Sequence, residues 1–381
     1  MSTNGLDYPH AEHPPSATTV EVAESVRWLT MPMAGSLTHI NLYLLEDYDG
    51  WFVLDTGLAT QQTRELWFEI FDNHLEGKPI KGVICTHMHP DHVGQAGMIT
   101  DKFRVPFYMT RAEYYQARSM FSGYSSYSSN WQSQEFYERS GIDTSFFERA
   151  GQEWRRRMPS AQEQQNARKK NSEPNYAVFP VGFRRLQEGD VLTIGGHDWL
   201  VMIGSGHSPE HACLFCKSLK VLISGDQILP IITSNVSVHA TEPEANPLKA
   251  WMDSHDRFLD LPEDTFVLPA HNLPFYGVRQ RLRALINHHE DRMLAIEEHC
   301  TTPQTARALL PVLFKRELDA RQMMMALGEA IAHCHLLLHR NRLERKLDDD
   351  GVYRYLSIDP DLARRQHPNQ HDAPDDLPVM V

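Results

Sequence analysis

Val83-Ile84-Cys85-Thr86-His87-Met88-His89-Pro90-Asp91-His92 joins an apolar run to three imidazoles and a carboxylate within six positions. The apolar run predicts a buried strand, so the polar residues fall where that strand ends and their side chains can converge on one small volume. Neutral imidazole and carboxylate are the donors that a borderline cation such as zinc selects, and the stretch therefore predicts a metal site at a sheet edge. The bland alternative is a surface cluster in a chain that carries 21 histidines.

Outward from this stretch, the 381 residues are enough for one large domain or two, and a hydrophobic fraction of 41% suits a buried core. No apolar run approaches the roughly 18 residues needed to cross a bilayer, and the N-terminus has no basic region followed by an apolar one. The chain is read as cytoplasmic, without a membrane partner. A net charge of −13 works against nonspecific binding of phosphate backbones, so nucleic acid is not an expected partner. Self-association into a homodimer stays open. Five dispersed cysteines make no disulfide framework, and Cys213 and Cys216, three apart in a strand, face opposite sides.

Residues 1–19, rich in Pro, Ser, Thr and His without periodicity, read as a disordered tail. Short β-rich runs follow at 26–30, 40–45 and 51–55, the last two joined at the hairpin signal Tyr48-Asp49-Gly50. Gln61 to Leu75 reads as a helix, 82–85 as the strand before the histidines, and 105–109 as another strand. Thr110-Arg111-Ala112-Glu113 has the spacing of a capping box. From 110 to 185 the chain is rich in Tyr, Phe and Trp and carries Arg155-Arg156-Arg157 and Arg168-Lys169-Lys170. This insertion reads either as a solvated helical excursion or as a lid whose aromatics form a pocket and whose cations meet an anionic substrate.

Strand-like runs resume at 190–194, 199–203, 212–215 and 221–224. A helix pattern follows from Leu248 to Leu259, and then the strand 266–269. Strands and helices in this order predict a layered α/β domain over 20–280. Beyond it, Leu282, Leu285, Ile286, His289, Met293 and Ile296 share a helical face, Thr302-Pro303 has the chemistry of a second helix start, and Leu327, Ile331, Cys334 and Leu338 mark a third. With a strand at 352–356 they form a C-terminal helical, winged-helix-like unit over 281–360, read as a packing appendage. Residues 361–381 read as a second disordered tail.

Four ligands are too few for two ions. Three further candidates end apolar strands: His207 in Gly204-Ser205-Gly206-His207, Asp226 in Ser224-Gly225-Asp226, and His271 in Leu268-Pro269-Ala270-His271. With the H-x-H-x-D-H motif at His87, His89, Asp91 and His92, the sequence resembles the metallo-β-lactamase-fold hydrolases, in the branch of glyoxalase II-like thioesterases and lactonases. The resemblance runs from about Val20 to His289 and implies an αββα sandwich. It assigns His87, His89 and His207 to one metal, Asp91, His92 and His271 to a second, and Asp226 to both. Asp55 in Asp55-Thr56-Gly57 supports the ligands without binding metal. The implied cofactor is two zinc ions, although iron or manganese fits the same donors.

Such a site implies hydrolysis at a carbonyl, with Asp91 as the catalytic proton carrier. Thioesters and lactones suit it because their leaving groups need little protonation. The expected substrate is a small acyl compound, an acyl-CoA or S-acylglutathione, with Arg155, Arg156, Arg157, Arg168, Lys169 and Lys170 meeting CoA phosphates and Tyr276 within reach of an oxyanion. Other readings are a lactonase or carboxylic-ester hydrolase, a metal-dependent nuclease using the C-terminal unit, and a non-catalytic sensor.

Overall fold

The computed structural model describes residues 2–3, 5–33, 37–122, 131–143, 176–359 and 361. The strands are β1 (Ser2–Thr3), β2 (Leu6–Asp7), β3 (Val20–Ala23), β4 (Val26–Pro32), β5 (His39–Asp47), β6 (Gly50–Leu54), β7 (Ile80–Ile84), β8 (Phe107–Thr110), β9 (Arg184–Leu186), β10 (Val191–Ile194), β11 (His197–Gly204), β12 (His211–Cys216), β13 (Val221–Gly225), β14 (Phe266–Pro269), β15 (Phe275–Tyr276), β16 (Leu343–Leu347) and β17 (Tyr353–Ser357). The helices are α1 (Gln61–Asn73), α2 (Pro90–Val93), α3 (Ala96–Phe103), α4 (Arg111–Phe121), α5 (Trp131–Arg139), α6 (Pro247–Leu259), α7 (Val278–His299), α8 (Leu310–Leu313) and α9 (Ala320–His339). None is long and apolar enough to cross a membrane.

Two sheets form the first compact unit, which contains residues 1–124, 176–234 and 253–284. The seven-stranded sheet runs β3 to β9 in sequence order, antiparallel up to β6 and parallel from β6 through β9. The eight-stranded sheet has the order β1-β2-β15-β14-β13-β12-β11-β10, with β13 and β14 its parallel pair. A parallel pair needs a crossover, and helices supply it: α1 from β6 to β7, α3 from β7 to β8, α6 from β13 to β14. The crossovers leave the carboxyl ends of β6, β7, β13 and β14 to carry Asp55, the histidine loop, Asp226 and His271.

One apolar cluster lies between the sheets, with Trp28, Tyr43 and Ile84 from one and Trp199, Leu214, Ile223 and Leu268 from the other. A second packs α1, α3 and α4 on the outer face of the seven-stranded sheet through Trp67, Ile99 and Tyr114. In the eight-stranded sheet the alternate residues Cys213, Leu222 and Val267 are also buried, so both of its faces are covered.

Several expectations change. The segment before Val20 is not a tail over its described residues. β1 pairs with β2, β2 extends the eight-stranded sheet beside β15, and Leu6 is buried. His10 packs its ring on Trp28 and Phe266, and Thr30 donates to the carbonyl of Pro14. The weak periodicity of this segment reflects an edge that borrows its order from a sheet already formed. The insertion is shorter than 110–185, because α4 and β9 are parts of the sheet unit and Tyr114 stacks on Phe183. Tyr124, Tyr127, Phe146, Phe147, Trp154, Arg155, Arg156, Arg157, Arg168, Lys169 and Lys170 lie outside the described residues, as do 362–381.

The second unit takes in residues 125–175 and 235–252 besides 285–381, so it is discontinuous and its boundary does not fall at 280. α5 belongs to it: Arg307 donates its N–H to Ser140, and the Arg139 guanidinium lies over the Tyr353 ring. Thr302-Pro303 starts no α-helix. Gln304 exchanges backbone hydrogen bonds with Tyr355 of β17, and only a 3-10 turn over Arg307–Leu309 precedes α8. β16 and β17 form a hairpin where the sequence indicated one strand.

Because Leu6 is packed, Leu6→Ala is expected to cost about 2–4 kcal/mol in urea unfolding. An unchanged midpoint and slope would mean that this segment contributes nothing to the fold.

Candidate metal centre

Four strand ends and one loop deliver seven side chains to one place. Pro90 at the first position of α2 starts the short helix that turns Asp91 and His92 inward after His89. Asp55 has a left-handed backbone, φ 59°, which a non-glycine residue adopts only when its surroundings hold it there. Its carboxylate accepts from the Thr86 N–H at 2.8 Å and from the Thr86 hydroxyl, and it meets His92 Nδ1 at 2.8 Å. At Gly225, φ 51°, an added Cβ would stand 2.5 Å from the His211 ring.

The donors divide as His87, His89, His207 and Asp226 in one group and Asp91, His92 and His271 in another. Asp226 joins the two. Its Oδ2 lies 3.3 Å from His207 Nε2, 3.5 Å from His92 Nε2 and 3.7 Å from His87 Nε2, while Oδ1 lies 3.4 Å from His271 Nε2. Asp91 Oδ2 is 3.5 Å from both His92 Nε2 and His271 Nε2. Both Asp226 oxygens and the Nε2 atoms of His92 and His271 are buried without a hydrogen-bond partner.

Orphaned polar atoms in such number are costly unless something satisfies them. A tetrahedral ion with bonds of about 2.0–2.2 Å keeps its donors about 3.3–3.6 Å apart, so these separations fit shared cations better than direct hydrogen bonds. His87 Nε2 and His89 Nδ1, at 2.8 Å, are closer, a length that one shared proton accounts for.

The far side of each ring fixes which nitrogen is presented. His92 Nδ1 is held by Asp55, His271 Nδ1 by the His39 carbonyl at 3.3 Å, and His87 Nδ1 by the Thr86 hydroxyl at 3.0 Å, so Nε2 points inward in all three. Burial, with His92 and His89 nearby, holds His87 well below the ordinary histidine value, and burial with His207 takes His89 down to about 3. Burial alone would lower His92 and His271 too. Asp55, Asp91 and Asp226 outweigh it at His92, as Asp226 and Asp91 do at His271, and both are raised. Burial would raise Asp91, but His92 and His271 outweigh it and hold the carboxyl at about 2.

All seven sequence-derived ligands therefore converge, and Asp55 holds His92. Tyr276 does not join them. It pairs with Phe266 and stacks on its ring, at the end of β14 remote from His271, about 10 Å along the strand from its other end at the usual strand rise. Arg155, Arg156 and Arg157 lie outside the described residues. Two residues escaped the sequence reading. His211, buried, accepts the Asp226 N–H at 3.0 Å and stacks on His87; its signal was its place four residues after His207, opening β12. Glu113 was read as a capping residue, and its carboxylate is instead bonded to the histidine loop.

Comparison with known proteins bears on the same span. A family model described as the Metallo-beta-lactamase superfamily matches residues 35–271, and one described as Metallo-beta-lactamase-like, C-terminal domain, matches 293–358. The crystal structure of a beta-lactamase domain protein from Burkholderia ambifaria is 40% identical, with a TM-score of 0.79 and coverage of 93% of this chain and 97% of that one. The metallo-beta-lactamase family protein TTHA1429 from Thermus thermophilus, 24% identical, has the same fold, with a TM-score of 0.67 over 88% of this chain and all (100%) of the other. The probable metallo-hydrolase YqjP of Bacillus subtilis (strain 168) is 22% identical over 339 residues, 87% of this chain and 97% of that protein.

Because Asp226 faces donors of both groups, Asp226→Ala is expected to weaken both metal equivalents by more than the roughly 100-fold ceiling for loss of an outer partner, and His271→Ala to weaken one. Metal analysis after dialysis against graded chelator reads the difference, and equal effects of the two variants would contradict the division.

His92 and His271, raised above the ordinary histidine value, keep more of their protonated form at neutral pH than a free histidine would. Their charged forms stabilise the metal-free fold fully below pH 6.5, and this contribution fades as pH rises through the raised values. Metal affinity runs the other way, since each ion must displace those protons. Zinc titration calorimetry near neutral pH in buffers of different ionisation enthalpy is expected to show release of about one proton or more per protein. Buffer-independent heats would refute this.

Proposed function

The chain belongs to the metallo-beta-lactamase superfamily, and from that premise we propose that it is a dinuclear metal-dependent hydrolase of thioesters, with an acyl-CoA or S-acylglutathione as substrate. The observation that carries the hydrolytic part is the seven-donor cluster, whose atoms stand 3.3–3.7 Å apart around the Asp226 carboxylate.

Two divalent ions bound there, zinc by the nature of the donors, would supply Lewis acidity and a water acidic enough to attack at neutral pH. His87, His89 and His207 would hold one and Asp91, His92 and His271 the other, with Asp226 between them. The side chains of His87, His92 and His271 are sealed from solvent, whereas that of Asp91 is 13% exposed. Asp91 and His89 are the two partly exposed members of the cluster, and Asp91, the one with a carboxylate, would be placed to take a proton from the attacking water and pass it to the departing atom. Asp55, Glu113 and His211 are committed to hydrogen bonds with the ligand loops.

With Asp91 the single proton carrier, a leaving group of low basicity is favoured, and a thiolate meets that requirement. Arg155, Arg156, Arg157, Arg168, Lys169 and Lys170 add a chemical reason for CoA, since two short basic runs match its phosphates. The net charge of −13 favours a small acyl substrate over nucleic acid.

Protein loaded with two metal equivalents is expected to hydrolyse members of an acyl-CoA and S-acylglutathione panel. Turnover confined to a parallel lactone panel would replace thioester by lactone, and inactivity on both panels would sink the proposal. Asp91→Asn is expected to lower kcat by about 10²–10⁴-fold, the usual weight of a positioned acid or base, with metal content checked on the same sample.

A further inference from the structure

The two loops that carry the histidines of the first ligand group are tied together by a carboxylate that is not among the seven donors. Glu113, in the first turn of α4, is fully buried. Its Oε2 accepts the N–H of Met88, the residue between His87 and His89, at 2.9 Å. Its Oε1 accepts the N–H of Glu210, three residues beyond His207, at 2.7 Å. Glu210 answers in kind: its carboxylate accepts the Ala112 N–H at 3.0 Å, and its carbonyl accepts the Thr110 hydroxyl at 2.8 Å.

Thr110 and Glu113 thus have the spacing of a reciprocal cap and do not use it on each other. The start of α4 is capped by Glu210 from another loop, which frees Glu113 to reach into the site. Burying a carboxylate costs several kcal/mol as an order of magnitude. An anchor for α4 alone would not need one. Two backbone donors from different loops, both beside candidate metal-ligand histidines, give the charge a role there.

We propose that Glu113 is a positioning residue for the first metal. It fixes the spacing between the His87–His89 loop and the His207 loop, so that three imidazoles and Asp226 suit one cation, without touching that cation. The proposal rests on the two-metal reading of the cluster. It concerns the first ion most directly, because the N–H groups it binds flank His87, His89 and His207, while Asp91 and His92 come later in the histidine loop and His271 lies at the end of another strand.

The test uses the full chain, stripped with EDTA and titrated with zinc in competition with a chromophoric chelator. Glu113→Gln keeps the shape but can accept only one of the two N–H groups well. One zinc equivalent is expected to weaken by about 10–100-fold, the usual cost of an outer partner, the other to stay at the wild-type value, and the metal-free variant to melt close to metal-free wild type. Should E113Q fail to fold, Glu113→Asp, which keeps the charge on a shorter stem, takes its place and must show the same one-site weakening. Two unchanged equivalents, or two weakened alike with a fall in the metal-free melting temperature, would overturn the role of Glu113 and leave the two-metal reading standing. Wild-type protein taking up no more than one equivalent would remove that reading and this proposal with it.

Discussion

Seven imidazole and carboxylate donors, five of them buried, crowd a space a few ångströms across, and the fold is arranged around that constraint. The Asp226 carboxylate, within 3.3–3.7 Å of four imidazole nitrogens, is the point where two ligand groups meet. Three of the crossovers bring carboxyl strand ends to this edge. β7 delivers the histidine loop, β13 Asp226 and β14 His271, while β6 ends at Asp55, which holds His92 from behind. Parallel pairing has this consequence because the strands it aligns end on one side, the same geometry that places ligand sites at strand ends in open α/β sheets.

Holding such a cluster exacts local distortions that only the surroundings make tolerable. Asp55 is kept left-handed by Thr86 and His92, and Gly225 is kept without a side chain by the His211 ring. Gly94 lies so near the backbone of Leu58 and Ala59 that a Cβ would stand 2.3 Å from the Ala59 nitrogen, which brings the residues after the histidine loop against the turn after Asp55. Thr110 and Glu113 give up their mutual cap so that Glu113 can bind the Met88 and Glu210 amides. In each case a local preference yields to the position of a ligand.

Much of the architecture was legible from local chemistry. The Asp49-Gly50 signal gives the β5–β6 hairpin, and the apolar spacing from Leu248 to Leu259 gives α6. Strand ends followed by His or Asp marked all seven donors. What was not legible depends on partners distant in sequence. The segment around Leu6 has no pattern of its own because its order comes from β15, some 270 positions away. Thr302-Pro303 starts no helix because the backbone of Gln304 is claimed by Tyr355. The discontinuous second unit hides for the same reason: residues 235–252, in the crossover between β13 and β14, share no periodicity with the tail they join.

Residue type and spacing in the sequence alone mark the candidate chemistry, since imidazole and carboxylate at strand ends become metal donors where the strands bring them together. They cannot determine distance. Only the tertiary structure decides that Asp226 stands between two ligand groups, that His211 and Glu113 brace the loops, and that Tyr276 packs on Phe266, because each outcome depends on which strands become neighbours. That pairing is set by burial of the two apolar clusters on either face of the seven-stranded sheet, a property of the whole chain and of no single stretch within it.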